Sequence, residues 1–131
     1  MNQVKWGVMG TAYIFERDTA RGMSLAENCE LTAIAGRTLE KAEAFKEKYG
    51  FQRAYGSYIE LLEDPEIEAV YIALPNTLHY EWTIQALKHG KHVLCEKPLA
   101  PTGQQAREMF QTAKENNVLL MEAFAYQHSP Y

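Results

Sequence analysis

Short apolar runs alternate with helical stripes along the whole chain, and this alternation constrains the fold more than any single motif. Val4 to Met9 is a run of β-forming residues that stops at Gly10. Ala12 to Ala26 is the first helical stretch, interrupted by the polar Glu16-Arg17-Asp18 and by Gly22. Leu31 to Ala35 is a second strand, ending at Gly36-Arg37. Thr38 to Tyr49 places Ala42, Phe45 and Tyr49 on one helical stripe, with Gly50 as its stop. A short strand at Arg53 to Tyr55 precedes Ser57-Tyr58-Ile59-Glu60, a capping box that opens a helix ending before Asp64-Pro65. Ala69 to Leu74 is too short for a helix and suits a strand covered on both faces. Thr77 to His89 carries Tyr80, Ile84 and Leu87 on one stripe and ends at Gly90. His92 to Cys95 is the fifth strand. Thr102-Gly103-Gln104-Gln105 is a second capping box, followed by an apolar face of Ala106, Met109, Phe110 and Ala113. Val118 to Ala125 is the last strand, before a turn-like tail from Gln127 to Tyr131.

The order βαβαβαβαβαβ with short loops and non-alternating apolar strands predicts a parallel sheet with helices on both faces. Right-handed crossovers make it doubly wound: an α/β, three-layer αβα domain over residues 1–131. With 47% apolar and 23% charged residues the chain can bury a core. Its net charge of −4 and lack of a basic cluster argue against nucleic-acid and anionic-membrane partners. No apolar run approaches the roughly 20 residues of a membrane span, and the first residues lack the pattern of a secretory signal. Cys29 and Cys95, far apart and without neighbouring ligands, suggest reduced thiols and a cytoplasmic location. No His/Asp/Glu trio has metal-ligand spacing.

In an open parallel sheet ligands bind beyond the carboxyl ends of the strands, where strand order reverses. The candidate residues are therefore those just after each strand. After the first strand, Gly10-Thr11-Ala12-Tyr13-Ile14-Phe15 is a degraded form of the GxGxxG dinucleotide turn. Gly10 keeps the tight turn, Ala12 adds a methyl group, and Phe15 replaces the small third residue. A helix starting there aims its N–H groups and positive dipole end at a phosphate, although a plain β–α turn reads the same way. After the second strand stands Arg37, where an acidic residue would bond ribose hydroxyls and an Arg suits a 2′-phosphate. A solvated Arg at a strand end is the other reading. Leu74-Pro75-Asn76 and His79 follow the long apolar run, with the His79 ring placed to face a ligand. Glu96-Lys97-Pro98 follows the fifth strand; Pro98 cannot continue the ladder, so Lys97 is turned out at the carboxyl edge. A surface ion pair is the alternative for Glu96 and Lys97. His92, at the amino edge, is structural, and His89 is a partner for the helix dipole.

These segments occur in a recurring order: Trp6-Gly7-Val8-Met9-Gly10-Thr11-Ala12, Gly36-Arg37, Asp64-Pro65-Glu66, Pro75-Asn76-Thr77-Leu78-His79, Glu96-Lys97-Pro98 and Met121-Glu122-Ala123-Phe124. In that order they resemble the N-terminal domain of the glucose–fructose oxidoreductase / inositol dehydrogenase / rhizopine catabolism (Gfo/Idh/MocA) family. The likeness is to its dihydrodiol and xylose dehydrogenase-like branch and covers nearly the whole chain. The resemblance implies a Rossmann fold and an oxidoreductase that moves a hydride between NADP (NAD is the alternative) and a sugar, polyol or related alcohol. It implies that Gly10, Thr11, Ala12, Tyr13 and Ile14 cradle the pyrophosphate and that Arg37 meets the 2′-phosphate. Leu74, Pro75, Asn76 and His79 would line the middle of the groove, Glu96 would lie near the nicotinamide ribose, and Lys97 would be the catalytic lysine. It also implies a homo-oligomer and a C-terminal substrate domain that this chain lacks, leaving the 131 residues inactive alone. A non-catalytic dinucleotide-binding module is the alternative.

Overall fold

The computed structural model describes residues 3–11, 28–96, 99–100 and 102–123. Within them lie strands β1 (Val4–Met9), β2 (Cys29–Ala35), β3 (Arg53–Tyr55), β4 (Ala69–Ile72), β5 (His92–Glu96) and β6 (Leu120–Ala123). Helices α1 (Leu39–Tyr49), α2 (Tyr58–Leu62), α3 (His79–Lys88) and α4 (Gly103–Glu115) connect them. The helix expected over Ala12 to Ala26 lies outside the described residues. Every described pairing is parallel, and the order across the sheet is β3-β2-β1-β4-β5-β6. From β1 the chain steps outward to β3, returns to β4 beside β1, then steps the other way. Strand order therefore reverses between β1 and β4, which defines the doubly wound Rossmann fold.

Local chemistry sets the helix starts. Thr38, Ser57 and Thr102 each hold an extended backbone and accept the amide of the residue three positions on, at 3.3, 3.2 and 3.1 Å. Gly50 ends α1 at φ 81° and returns its amide to the Lys46 carbonyl. Successive strand residues pack on opposite faces. Met9, Ala33, Ala35, Val70 and Ile72 join Leu61, Leu87 and Met109 in one core. Val8, Ile34, Tyr71 and Ala73 join Ala42 and Phe51 in the other. Both faces are covered by apolar side chains, as the non-alternating strands require.

Several boundaries differ from the sequence reading; β5 runs on to Glu96 and β6 begins at Leu120 rather than Val118. β2 begins at Cys29 rather than Leu31, because Cys29 and Glu30 continue the ladder with Val4 and Lys5. β4 ends at Ile72 although Ala73 and Leu74 remain buried; burial outlasts strand geometry there. The Thr77–His89 stretch divides into a 3₁₀ turn at Asn76–Leu78 and α3 from His79. The face that α3 buries also differs: His79, Thr83, Ala86 and Leu87 are inside, whereas Tyr80 and Ile84 are half-buried. On α4, Met109 and Ala113 are buried while Phe110 is 49% exposed. Met109 and Ala113 define the axis of that stripe, and Phe110 sits about 100° round from Met109.

Candidate functional site

Gly10 occupies the switch point between β1 and β4. Its φ is +108°, and a Cβ there would lie 2.5 Å from the carbonyl oxygen of Ala73. Only glycine lets the β1 tip take this turn while the backbone beyond β4 comes so close. The Gly10 amide donates to the Ala35 carbonyl at 2.8 Å, and the Ala73 amide to the Met9 carbonyl at 2.9 Å. The tips of β1, β2 and β4 are thus bonded into one edge. Since the Gly10 amide is engaged, N–H groups directed at a ligand must come from later residues of that turn.

The β2 tip packs onto the same edge. A Cβ on Gly36 would lie 3.2 Å from the Thr11 methyl, so glycine at 36 admits Thr11 to the junction. Arg37 follows and is exposed. Thr38 uses its oxygen to cap α1, leaving its hydroxyl proton to donate outward. Burial pushes the Tyr58 phenol above its ordinary value, and the nearby Arg37 charge offsets part of that rise. Tyr58 in turn stands edge-on to Trp82, their centroids 5.2 Å apart at 74°. A cation and an aromatic pair therefore share this end of the edge. Tyr58 follows directly on the Ser57 cap of the helix leaving the edge strand β3, and that position is the sequence signal that marks it.

Beyond β4, Leu74 is buried whereas Pro75 and Asn76 are exposed at the edge. The turn is braced from beneath. The Leu78 amide donates to the Pro75 carbonyl at 2.9 Å, and His79 Nε2 to the Leu74 carbonyl at 2.7 Å. His79, the residue expected to face a ligand, is 0% exposed in this structure. A carbonyl can only accept, so Nε2 carries the proton and the ring serves the turn from inside. The other expected histidine roles agree with the geometry. His89 donates Nδ1–H to the Gln85 carbonyl at the end of α3, and His92 Nδ1 accepts the Leu119 amide at 3.0 Å.

At the β5 tip Glu96 is half-buried and paired with Ala123 of β6. Three residues on, the Leu99 amide donates to Glu122 Oε2 at 2.6 Å. Cys95, beneath, is 0% exposed, and its thiol is pushed up to about 12 by burial, with the Thr83 hydroxyl opposing and the Glu122 charge reinforcing. Of the expected residues, Gly10, Thr11, Arg37, Leu74, Pro75, Asn76 and Glu96 all stand at or just past strand ends on one edge. Ala12, Tyr13, Ile14, Lys97 and Pro98 lie outside the described residues. Among the described residues no group of three His, Cys, Asp or Glu could hold a metal, and no helix is long and apolar enough to cross a membrane.

Two surface hollows lie elsewhere. One of about 540 Å³ runs between α3 and α4, where the Tyr80 hydroxyl donates to Glu108. The other, about 430 Å³, adjoins Arg53, Asp64 and Glu66. Neither is built from the tips of β1 and β4, where strand order reverses and ligands bind in open parallel sheets.

Comparison with known proteins agrees with this geometry. Residues 4–124 match the Gfo/Idh/MocA model, described as an oxidoreductase family with an NAD-binding Rossmann fold. The chain is 42% identical over 129 residues to the dTDP-3,4-didehydro-2,6-dideoxy-alpha-D-glucose 3-reductase of Actinomadura kijaniata, covering 98% of this chain and 39% of the relative. It is 41% identical over 125 residues to the D-xylose 1-dehydrogenase (NADP(+)) 2 of Haloferax volcanii, covering 95% and 38%. The crystal structure of KijD10, a 3-ketoreductase from Actinomadura kijaniata in complex with NADP, superposes with a TM-score of 0.93 at 41% identity, covering 98% of this chain and 41% of that one. The chain thus spans well under half the length of these relatives. Strand order, the glycine turn at the switch point and the matched sequence together place the chain in the Gfo/Idh/MocA oxidoreductase family, as its NAD-binding Rossmann domain.

Proposed function

We propose that this domain binds NADP at the edge formed by the β1, β2, β4 and β5 tips, and that the protein oxidises or reduces a sugar, polyol or related alcohol. The observation that carries the reading is the Gly10 turn, held against Ala73 at the reversal of strand order with Arg37 exposed on the neighbouring tip. The residues present fit such a cofactor: glycine removes the Cβ that would fill the cradle, and a guanidinium offers a planar fork for phosphate oxygens. Gly10, Thr11, Ala12, Tyr13 and Ile14 hold the pyrophosphate, and Arg37 takes the 2′-phosphate. Leu74, Pro75 and Asn76 form the middle of the groove, with His79 supporting them from within, and Glu96 bonds the nicotinamide ribose. When bound, the nicotinamide supplies hydride transfer. Lys97 orients the substrate oxygen and assists its proton transfer. The NADP-bound KijD10 structure and the name of the xylose dehydrogenase relative support this cofactor and substrate class. The free thiols of Cys29 and Cys95 support a cytoplasmic setting, and exposed Phe110, Leu119 and Met121 supply apolar surface for homo-oligomers.

Titration with NADPH and NADH, followed by cofactor fluorescence, tests the reading. Arg37→Ala is expected to weaken NADPH binding about tenfold or more, as loss of a charge-assisted hydrogen bond does, with NADH binding nearly unchanged. An equal effect on both cofactors, or tighter binding of NADH by the unaltered protein, contradicts the 2′-phosphate assignment. Lys97→Ala is expected to abolish most turnover with cofactor binding retained.

A further inference from the structure

The tips of β2 and β3 are joined. The Gly36 amide donates to the Tyr55 carbonyl at 3.1 Å, and beyond that bond each strand runs directly into a helix cap, Thr38 for α1 and Ser57 for α2. Gly56 lets the two caps touch, since a Cβ there would lie 3.2 Å from the backbone nitrogen of Leu39. Arg37 and Tyr58 therefore leave one junction, Arg37 exposed and Tyr58 half-buried.

The two side chains hold a ligand differently. An exposed guanidinium samples many rotamers and is screened by salt, so by itself it discriminates weakly. The Tyr58 ring is held: it packs against the core under α2 and α3 and meets Trp82 edge-on at 5.2 Å. Burial keeps its phenol protonated through the neutral range, so the hydroxyl is a donor, and the Arg37 charge lies close enough to be felt there. Among the described residues no hydrogen bond engages that hydroxyl. A phosphate monoester presents three strong acceptor oxygens, more than one guanidinium fork satisfies.

We propose that Tyr58 is a specificity-determining residue whose hydroxyl donates to the phosphate held by Arg37, so that the pair separates NADP from NAD. This rests on the assignment of Arg37 to the 2′-phosphate made under Proposed function. The arginine supplies charge, and the anchored phenol supplies a donor at a fixed place.

The protein is titrated with NADPH and NADH by cofactor fluorescence. Tyr58→Phe keeps the ring and its contact with Trp82 and removes only the hydroxyl. It is expected to weaken NADPH binding about fivefold, as loss of a hydrogen bond to a charged group does, and to move NADH binding less than about twofold. A second measurement leaves Tyr58 in place: nitration of its ring by tetranitromethane, read by peptide mass spectrometry. Saturating 2′,5′-ADP is expected to slow that nitration about fivefold, and 5′-AMP less than about twofold. Equal weakening of both cofactors in Tyr58→Phe, or equal protection by both nucleotides, marks a structural residue and overturns the role of Tyr58 alone. Unchanged NADPH binding in Tyr58→Phe, with the loss in Arg37→Ala intact, does the same. NADPH bound no tighter than NADH by the unaltered protein overturns the 2′-phosphate assignment, and the role of Tyr58 falls with it.

Discussion

His79 Nε2 stands 2.7 Å from the carbonyl oxygen of Leu74, in a ring with no exposure to solvent. The bond joins the start of α3 to the end of the apolar run, and between its partners lie Pro75 and Asn76, the exposed part of the turn. A buried histidine here is a brace for a binding edge. His79→Phe keeps the ring's bulk and removes the donor, leaving a buried carbonyl without that partner. The expected cost is about 1–3 kcal/mol in urea denaturation. NADPH affinity should fall as well, because the turn proposed to line the groove is loosened. A variant with unchanged denaturation midpoint would show that the bond contributes nothing to stability.

Gly10→Ala meets two obstacles at once: a φ of +108° and a Cβ 2.5 Å from the Ala73 oxygen. Backbone strain of this kind costs about 1–3 kcal/mol, and here the neighbour that must shift is backbone, not a side-chain end. Thermal melting should show a drop of several degrees, together with a larger loss of NADPH binding than any exposed edge residue gives.

The thiols provide a measure of how firmly the core beneath β5 is closed. Cys95 is pushed up to about 12, mainly by burial, and is fully enclosed. Cys29 is only half-buried, although burial raises its thiol as well. In native protein at pH 8, a disulfide reagent such as dithiobis(nitrobenzoate) should label Cys29 first. Cys95 should react only as the domain opens, its rate rising with denaturant. Equal labelling rates under native conditions would mean that the β5–β6 region opens readily.

Acid stability rests in part on Asp64. Burial acts to raise its carboxyl, but the Tyr55 hydroxyl at 2.7 Å, the Glu66 amide at 2.9 Å and the charges of Arg53 and Lys91 outweigh it, so the net shift is downward. The native state then holds fewer protons than the unfolded chain around this group's titration. Its stabilisation is complete above the unfolded value of about 3.9 and is lost as pH falls through the lower native one. Unfolding free energy measured between pH 5 and pH 2.5 should decline, and Asp64→Asn should flatten part of that decline while lowering stability at pH 7.

Much of the candidate edge was legible because strand ends announce themselves. Gly10, Gly36-Arg37, Pro75-Asn76 and Glu96 each follow an apolar run, and in a parallel sheet that position alone puts them on one edge. The faces of the helices were less legible. Hydropathy marks Tyr80 and Ile84 as the inner stripe of α3, yet His79 and Thr83 are buried instead. His79 enters the core because a partner waits there, and that partner, the Leu74 carbonyl, belongs to the preceding run rather than to α3.

The alternation of runs, the capping residues and the glycine at the first turn determined the doubly wound architecture and the candidate edge at its strand tips. These are signals within a few residues of one another, where backbone geometry and local hydrogen bonds decide. The burial of His79, the influence of the Arg37 charge on Tyr58 and the hydrogen bond from Leu99 to Glu122 were decided only by tertiary structure. Each joins residues from separate elements, and such pairings exist only after the sheet has brought those elements side by side.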